Sequence, residues 1–170
     1  MTLKEKLRRN ELTIGSWITL GHSGVAELMA KTGGFDWLVI DIEHSAIDLR
    51  DVQEMLQAIE LGGVQPLVRL TSNDQNQIKR VMDAGSHGIL VPFVNSKEDA
   101  EKAVQSVYYP PIGVRGAGLA RAQGYGASFQ DYREWLDENG VIIAMIEHKK
   151  AVENIGAKNT QAMFILWIVH

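Results

Sequence analysis

The sequence predicts an α/β fold built on a parallel sheet. Three observations carry that prediction. Apolar runs of strand length alternate with helical patterns five times, at a spacing of about 25–30 residues. Each run is apolar nearly throughout, as strands buried on both faces require. Three of the runs close on ionisable residues: Asp41, Glu43 and His44 after the second, Arg69 on the third, and Glu147 on the fifth. The carboxyl ends of parallel strands lie on one side of the sheet, where α/β folds place their chemistry. A doubly wound open sheet and a (β/α)₈ barrel both fit. A barrel typically takes about 250 residues, and this chain has 170.

The elements follow in order. Residues 2–10 form a short polar helix, and 13–20 a first strand. Ser23 caps a helix over 24–32 in which Val25, Leu28 and Met29 recur at helical spacing and Gly33-Gly34 ends it. The second strand is the run 36–44. Asp48 opens a helix through Val52, Met55, Leu56 and Ile59, closed by Gly62-Gly63. The third strand is 65–70, with a helix over 74–84 stopping at Gly85. The fourth strand is 88–94, and Ser96 with Asp99 forms a capping box for a helix to Val107. A Gly/Pro-rich loop spans 108–118. A helix over 128–138, capped from Ser128 to Asp131, leads to the fifth strand, 141–147, and residues 149–155 begin another helix.

Composition narrows the function classes. The apolar fraction of 45% is enough for one sizeable core, so a single domain over 1–170 is expected. A net charge of -4, with no basic tract, argues against nucleic acid or an anionic membrane as partner. The chain has no cysteine, which excludes disulfides and thiolate metal sites and accords with a cytoplasmic location. No apolar run is long enough to span a membrane, and residues 1–10 carry no secretory pattern.

The strand-end residues make a usable chemical set. Ionisable groups at a buried strand end are costly unless they bind something. Carboxylates suit a hard divalent cation. Such a cation can chelate a 2-oxo acid and, as a Lewis acid, stabilise an enolate. Arg69 can add positive charge beside the same oxygen, and His44 is the natural proton shuttle near neutral pH. By contrast, His22, His87 and His148 read as loop or surface residues, and the glycines at 113, 116 and 118 do not form a dinucleotide fingerprint, because no strand leads into them.

The segment Asp-Trp-Leu-Val-Ile-Asp-Ile-Glu-His (36–44), the Arg69 strand, Tyr-Pro-Pro-Ile-Gly-Val-Arg-Gly (109–116) and Met-Ile-Glu (145–147) together resemble the HpcH/HpaI family of class II pyruvate aldolases. The resemblance runs from about residue 3 to Ile155. It implies a (β/α)₈ TIM barrel, here incomplete with five to six parallel strands, and assembly as a homo-oligomer, trimer or hexamer. It implies cleavage of 4-hydroxy-2-oxo acids, of the 2-keto-3-deoxy sugar acid or 2,4-dihydroxyhept-2-ene-1,7-dioate type, to pyruvate and an aldehyde with Mg²⁺, Mn²⁺ or Co²⁺. Residue by residue, it makes Glu147 a metal ligand and has Glu43 act through metal-bound water. It makes His44 the acid/base residue, oriented or tuned by Asp41 and Asp83, and Arg69 the holder of the pyruvate keto oxygen. It sets Trp17 on the aldehyde side, Arg115 on the pocket lining, and Met145 where some relatives carry a glutamine.

After Ile155 the family pattern stops. The family's Gly-Pro-x-Asp-Leu strand, whose Asp is a second metal ligand, has no counterpart, and no carboxylate follows Glu153. The expectation is a truncated or altered-frame product with strongly reduced activity. Residues 163–169 form either a makeshift sixth strand or an exposed apolar tail, and His170 reads as a tail residue rather than a substitute ligand. Two other classes remain: a CoA-thioester lyase of the same superfamily, and a non-catalytic remnant.

Overall fold

The computed structural model describes residues 1–154 and 164–167. Six strands form one parallel sheet in the order β1-β2-β3-β4-β5-β6: Gly15–Ile18, Trp37–Asp41, Gln65–Arg69, Gly88–Val91, Val141–Ile146 and Phe164–Trp167. Every strand pairs with its sequence neighbour. That order is the one a barrel wall takes; a doubly wound sheet would reverse it at a switch point. The helices are α1 (Leu3–Arg8), α2 (Ser23–Lys31), α3 (Leu49–Leu61), α4 (Gln75–Ala84), α5 (Lys97–Val107), α6 (Phe129–Asn139) and α7 (Lys149–Glu153). Residues 164–167 pair in parallel with β5, so of the two expectations for that stretch the sixth strand is the one observed. His170 lies outside the described residues. No helix among them is long and apolar enough to cross a membrane.

The alternation of side chains along each strand divides the interior into two clusters. Leu38 and Ile40 of β2, Val68 of β3, Ile89 and Val91 of β4, and Ile142 and Ala144 of β5 pack against the helices. They meet Val52, Met55, Leu56 and Ile59 of α3 and Ile78, Val81 and Met82 of α4. The opposite parity, Val39, Leu67, Leu90, Val141 and Met145, forms a second cluster with Trp17 and Trp37 on the concave side. Asp41, Arg69 and Glu147 share that parity, so the period of two aims all three toward the barrel interior.

Local signals account for most element ends. Asp48 and Ser96 form capping boxes with Asp51 and Asp99. Gly85 ends α4 at φ +108, a conformation an L side chain rarely adopts. Four details differ from expectation. His22, not Ser23, caps α2, and His148 caps α7, each accepting a backbone N–H through its ring. Ser128 makes no side-chain cap bond. A 3-10 helix, Arg121–Gly126, fills the stretch between the 108–118 loop and α6, for which the sequence predicts no element.

His87 lies in the bend before β4, a loop position as expected, but its ring is only partly exposed. Its ring contacts Gln65 Oε1 at 3.0 Å and Glu60 Oε1 at 3.5 Å, and lies 4.6 Å from the Trp135 ring. Arg121 donates to the other Glu60 oxygen and, at 3.2 Å, to the Ala84 carbonyl. His87 and Arg121 hold the Glu60 carboxyl at about 2 against an ordinary 4.5, with burial opposing them. The carboxyl is thus depressed on folding, so the unfolded chain binds the proton first. Its contribution is complete above about pH 4.5 and is lost as pH falls toward about 2. Urea unfolding at stepped pH should therefore show stability declining through that window, and Glu60→Gln should flatten the decline. An unchanged acid limb in the variant would contradict the assignment.

Candidate functional site

The site is assembled by strand register. Asp41 closes β2 and Arg69 closes β3, and the two are direct partners in the ladder. Their side chains, on the same face, meet in a two-pronged ion pair. Arg69 Nε donates to Asp41 Oδ1 at 2.8 Å and Nη2 donates to Oδ2. The same Asp41 Oδ1 accepts the backbone N–H groups of Glu43 at 3.0 Å and His44 at 3.3 Å, and Ser45 Oγ donates to the Asp41 carbonyl. The turn that carries Glu43 and His44 is therefore folded around the Asp41 carboxylate. Burial pushes that carboxyl up, but the Arg69 bond and the two backbone donors outweigh it and hold it below its ordinary value. Arg69 is raised, first by the Asp41 bond.

Glu43 completes the acidic side. Its side chain is only 9% exposed, with Oε2 3.3 Å from Arg69 Nη1 and 3.8 Å from His44 Nε2. Oε2 nevertheless has no hydrogen-bond partner. Burial raises the Glu43 carboxyl; Arg69 and His44 oppose the rise, while Glu147 and Asp41 add to it. That Glu147 acts on Glu43 and on Arg69 places it within the same field. Glu147 follows β5 and is fixed from the neighbouring strand end: the backbone N–H of Phe93, in the loop after β4, donates to Glu147 Oε2 at 3.0 Å. Phe93 takes φ +51, a left-handed conformation uncommon for an aromatic residue. Neither its conformation nor its role as a backbone donor has a signal in the sequence.

Several expected residues sit elsewhere or act otherwise. The His44 ring is 71% exposed and Asp41 reaches it only through the backbone N–H, because the Asp41 oxygens are occupied by Arg69. Asp83 does not join the cluster. It lies in the last turn of α4, which runs back toward the amino ends of the strands, and there it takes Arg115 Nη2 and Gln123 Nε2. Arg115 is not a mouth residue either. Its side chain is fully buried, 4.8 Å from the Tyr109 ring and donating to Tyr132 Oη at 3.1 Å. Trp17 lies beneath Arg69, with the guanidinium carbon 4.8 Å from the ring centre. A cavity of about 430 Å³ is lined by Glu60, His87, Arg121 and Trp135, and it belongs to the amino-end face, away from this mouth.

The donor chemistry suits a hard divalent cation. Glu43 has a buried oxygen without a hydrogen-bond partner, and Glu147 shares its field. Among the described residues no group of three or more His, Asp or Glu side chains is arranged to hold a metal. Two carboxylates completed by water and substrate oxygens are a recognised arrangement for Mg²⁺.

The ion pair is the mechanical centre of this site, with side chains 12% and 3% exposed. Asp41→Asn should cost up to about 3 kcal/mol, because it takes the two-pronged charged partner from a buried guanidinium and leaves it Glu43 alone. Asp41→Leu combined with Arg69→Met and Glu43→Gln, which removes the buried charges together, should regain much of that loss. Urea midpoints measure both, and equal losses in the single and triple variants would show that the pair is not the support.

Comparison with known proteins agrees with the geometry. The family model described as HpcH/HpaI aldolase/citrate lyase matches residues 14–163, eight residues beyond Ile155, where the motif reading stopped. The chain is 40% identical over 156 residues, 91% of its length, to a hydroxypyruvate/pyruvate aldolase of Pseudomonas aeruginosa, and covers 58% of that protein. It is 39% identical over 156 residues, again 91% of its length, to a 4-hydroxy-2-oxo-heptane-1,7-dioate aldolase of Shigella flexneri, and covers 58% of it. The chain thus spans somewhat over half the length of the curated relatives it matches. A solved HpcH/HpaI aldolase/citrate lyase family protein of Burkholderia cenocepacia J2315 superposes with a TM-score of 0.87 at 32% identity, over 96% of this chain and 67% of that one. The chain belongs to the HpcH/HpaI aldolase/citrate lyase family.

Proposed function

We propose that this chain carries the pyruvate half of an aldolase site. The reaction is cleavage of a 4-hydroxy-2-oxo acid, of the 2-keto-3-deoxy sugar acid or 2,4-dihydroxyhept-2-ene-1,7-dioate type, to pyruvate and an aldehyde. The observation that supports it most is the convergence of Arg69, Glu43 and Glu147 at one strand-end mouth, with His44 on its rim. A guanidinium beside carboxylates is what an oxyanion held next to a cation needs. The aldolases among its relatives support the same reading.

In this reading His44 takes the proton of the C4 hydroxyl. The C3–C4 bond then breaks, the aldehyde departs, and the bond's electron pair becomes the enolate of pyruvate. Arg69 donates to the keto oxygen, and its interaction strengthens as negative charge gathers there. The protonated His44 returns a proton to C3, giving pyruvate. Asp41 keeps Arg69 and the His44 backbone in place throughout. Glu147, backed by Glu43 through water, would hold a divalent cation (Mg²⁺, Mn²⁺ or Co²⁺), which supplies positive charge to the substrate's carboxylate and keto oxygens. Assembly as a homo-oligomer, trimer or hexamer, and a cytoplasmic location are parts of the same proposal.

The test uses the full chain with each divalent cation in turn. Pyruvate release from a 4-hydroxy-2-oxo acid, read through a coupled dehydrogenase, should appear with at least one cation. It should fall about 100-fold or more in His44→Ala and by about as much in Arg69→Ala. Turnover unaffected by both substitutions would overturn the assignment.

A further inference from the structure

Arg69 is held from three directions, and only two of them are acidic. Asp41 takes one edge of the guanidinium through Nε and Nη2. Glu43 faces its Nη1 end at 3.3 Å. Hydrogen bonds to a guanidinium are made at its edges, so contacts of this kind leave its two faces uncovered. The third contact is the face of Trp17, 4.8 Å below the guanidinium carbon. Trp17 stands in β1 opposite Val39, two residues below Asp41 on the same side of β2, so the ladder sets the indole one layer beneath the ion pair. The partly buried ring packs against the concave-side cluster that includes Val39, Leu67, Leu90 and Met145.

We propose that Trp17 is a positioning residue for Arg69: the indole is the platform that fixes the plane of the guanidinium, and Trp17 acts through Arg69 rather than lining the aldehyde side of the pocket. A cation over an aromatic face is attracted by the ring quadrupole, and arginine stacks flat on it. The catalytic meaning rests on the aldolase reading; the positioning itself does not.

The two roles separate cleanly in a reaction that contains no aldehyde. Exchange of the pyruvate methyl protons with deuterated water needs enolate formation, hence Arg69, but nothing on the aldehyde side. Trp17→Leu should slow this exchange roughly tenfold, mostly in kcat with little change in KM. Trp17→Phe, which keeps an aromatic face, should restore most of the rate. Unchanged exchange, with altered preference among aldehydes, would return Trp17 to the aldehyde side and overturn the proposal.

A readout independent of activity is the Arg69 Nε–H resonance, assigned by its loss in Arg69→Lys. The ring current of Trp17 should shift it, Trp17→Leu should remove that shift, and Trp17→Phe should retain part of it. If the resonance moves as expected while the unsubstituted chain shows no exchange with any divalent cation, the positioning stands and the aldolase reading falls. A resonance unmoved in Trp17→Leu overturns the positioning whatever the exchange rate does.

Discussion

The rest of the site depends on one ion pair between neighbouring strand ends. Asp41 and Arg69 are register partners in β2 and β3, and their side chains point to the concave side. Three consequences follow from that single contact. The guanidinium is anchored at a fixed depth. The turn after β2 is wound onto the same carboxylate, which brings Glu43 and His44 to the mouth. The remaining guanidinium edge faces Glu43 rather than bulk water. A buried pair of this kind contributes little net stability against an apolar replacement. Its value here is geometric, because it converts the register of a ladder into the placement of the Arg69 guanidinium at the mouth.

The two ends of the barrel wall carry different electrostatics. At the carboxyl end, Glu43 is raised chiefly by burial, against the pull of Arg69, and keeps a buried oxygen without a hydrogen-bond partner. At the amino end, Asp83 is bonded to Arg115 and Gln123, and Glu60 to Arg121. The second arrangement ties helix ends and the long 108–118 loop to the wall; the first leaves a carboxylate oxygen paired with Arg69 by charge but without a hydrogen bond. The contrast explains why the mouth, and not the 430 Å³ cavity at the amino end, is the candidate site.

Much of this was legible before any coordinates. Continuous apolar runs such as 37–41 and 141–146 announced parallel strands, and charged strand ends announced the mouth. Period-two alternation then aims Asp41, Arg69 and Glu147 to one side. What was not legible depends on competition between partners. Asp41 was expected to orient the His44 ring, but two neighbouring donors on Arg69 bind its oxygens first, and only the His44 backbone is left for it. Asp83 looked misplaced beside a helix C-terminus; its compensation, Arg115, comes from 32 residues further along and has no local signature. The 3-10 helix Arg121–Gly126 and the left-handed Phe93 are backbone conformations imposed by tertiary contacts, and no periodicity encodes them.

The central claim is that a divalent cation, a 2-oxo acid and Arg69 meet at one mouth. Paramagnetic broadening by Mn²⁺ tests it directly. With pyruvate and the full chain in solution, substoichiometric Mn²⁺ should broaden both the pyruvate methyl signal and the Arg69 Nε–H resonance, and Glu147→Gln should abolish both effects. Broadening that bypasses Arg69, or that survives unchanged in Glu147→Gln, would place the cation elsewhere and contradict the account.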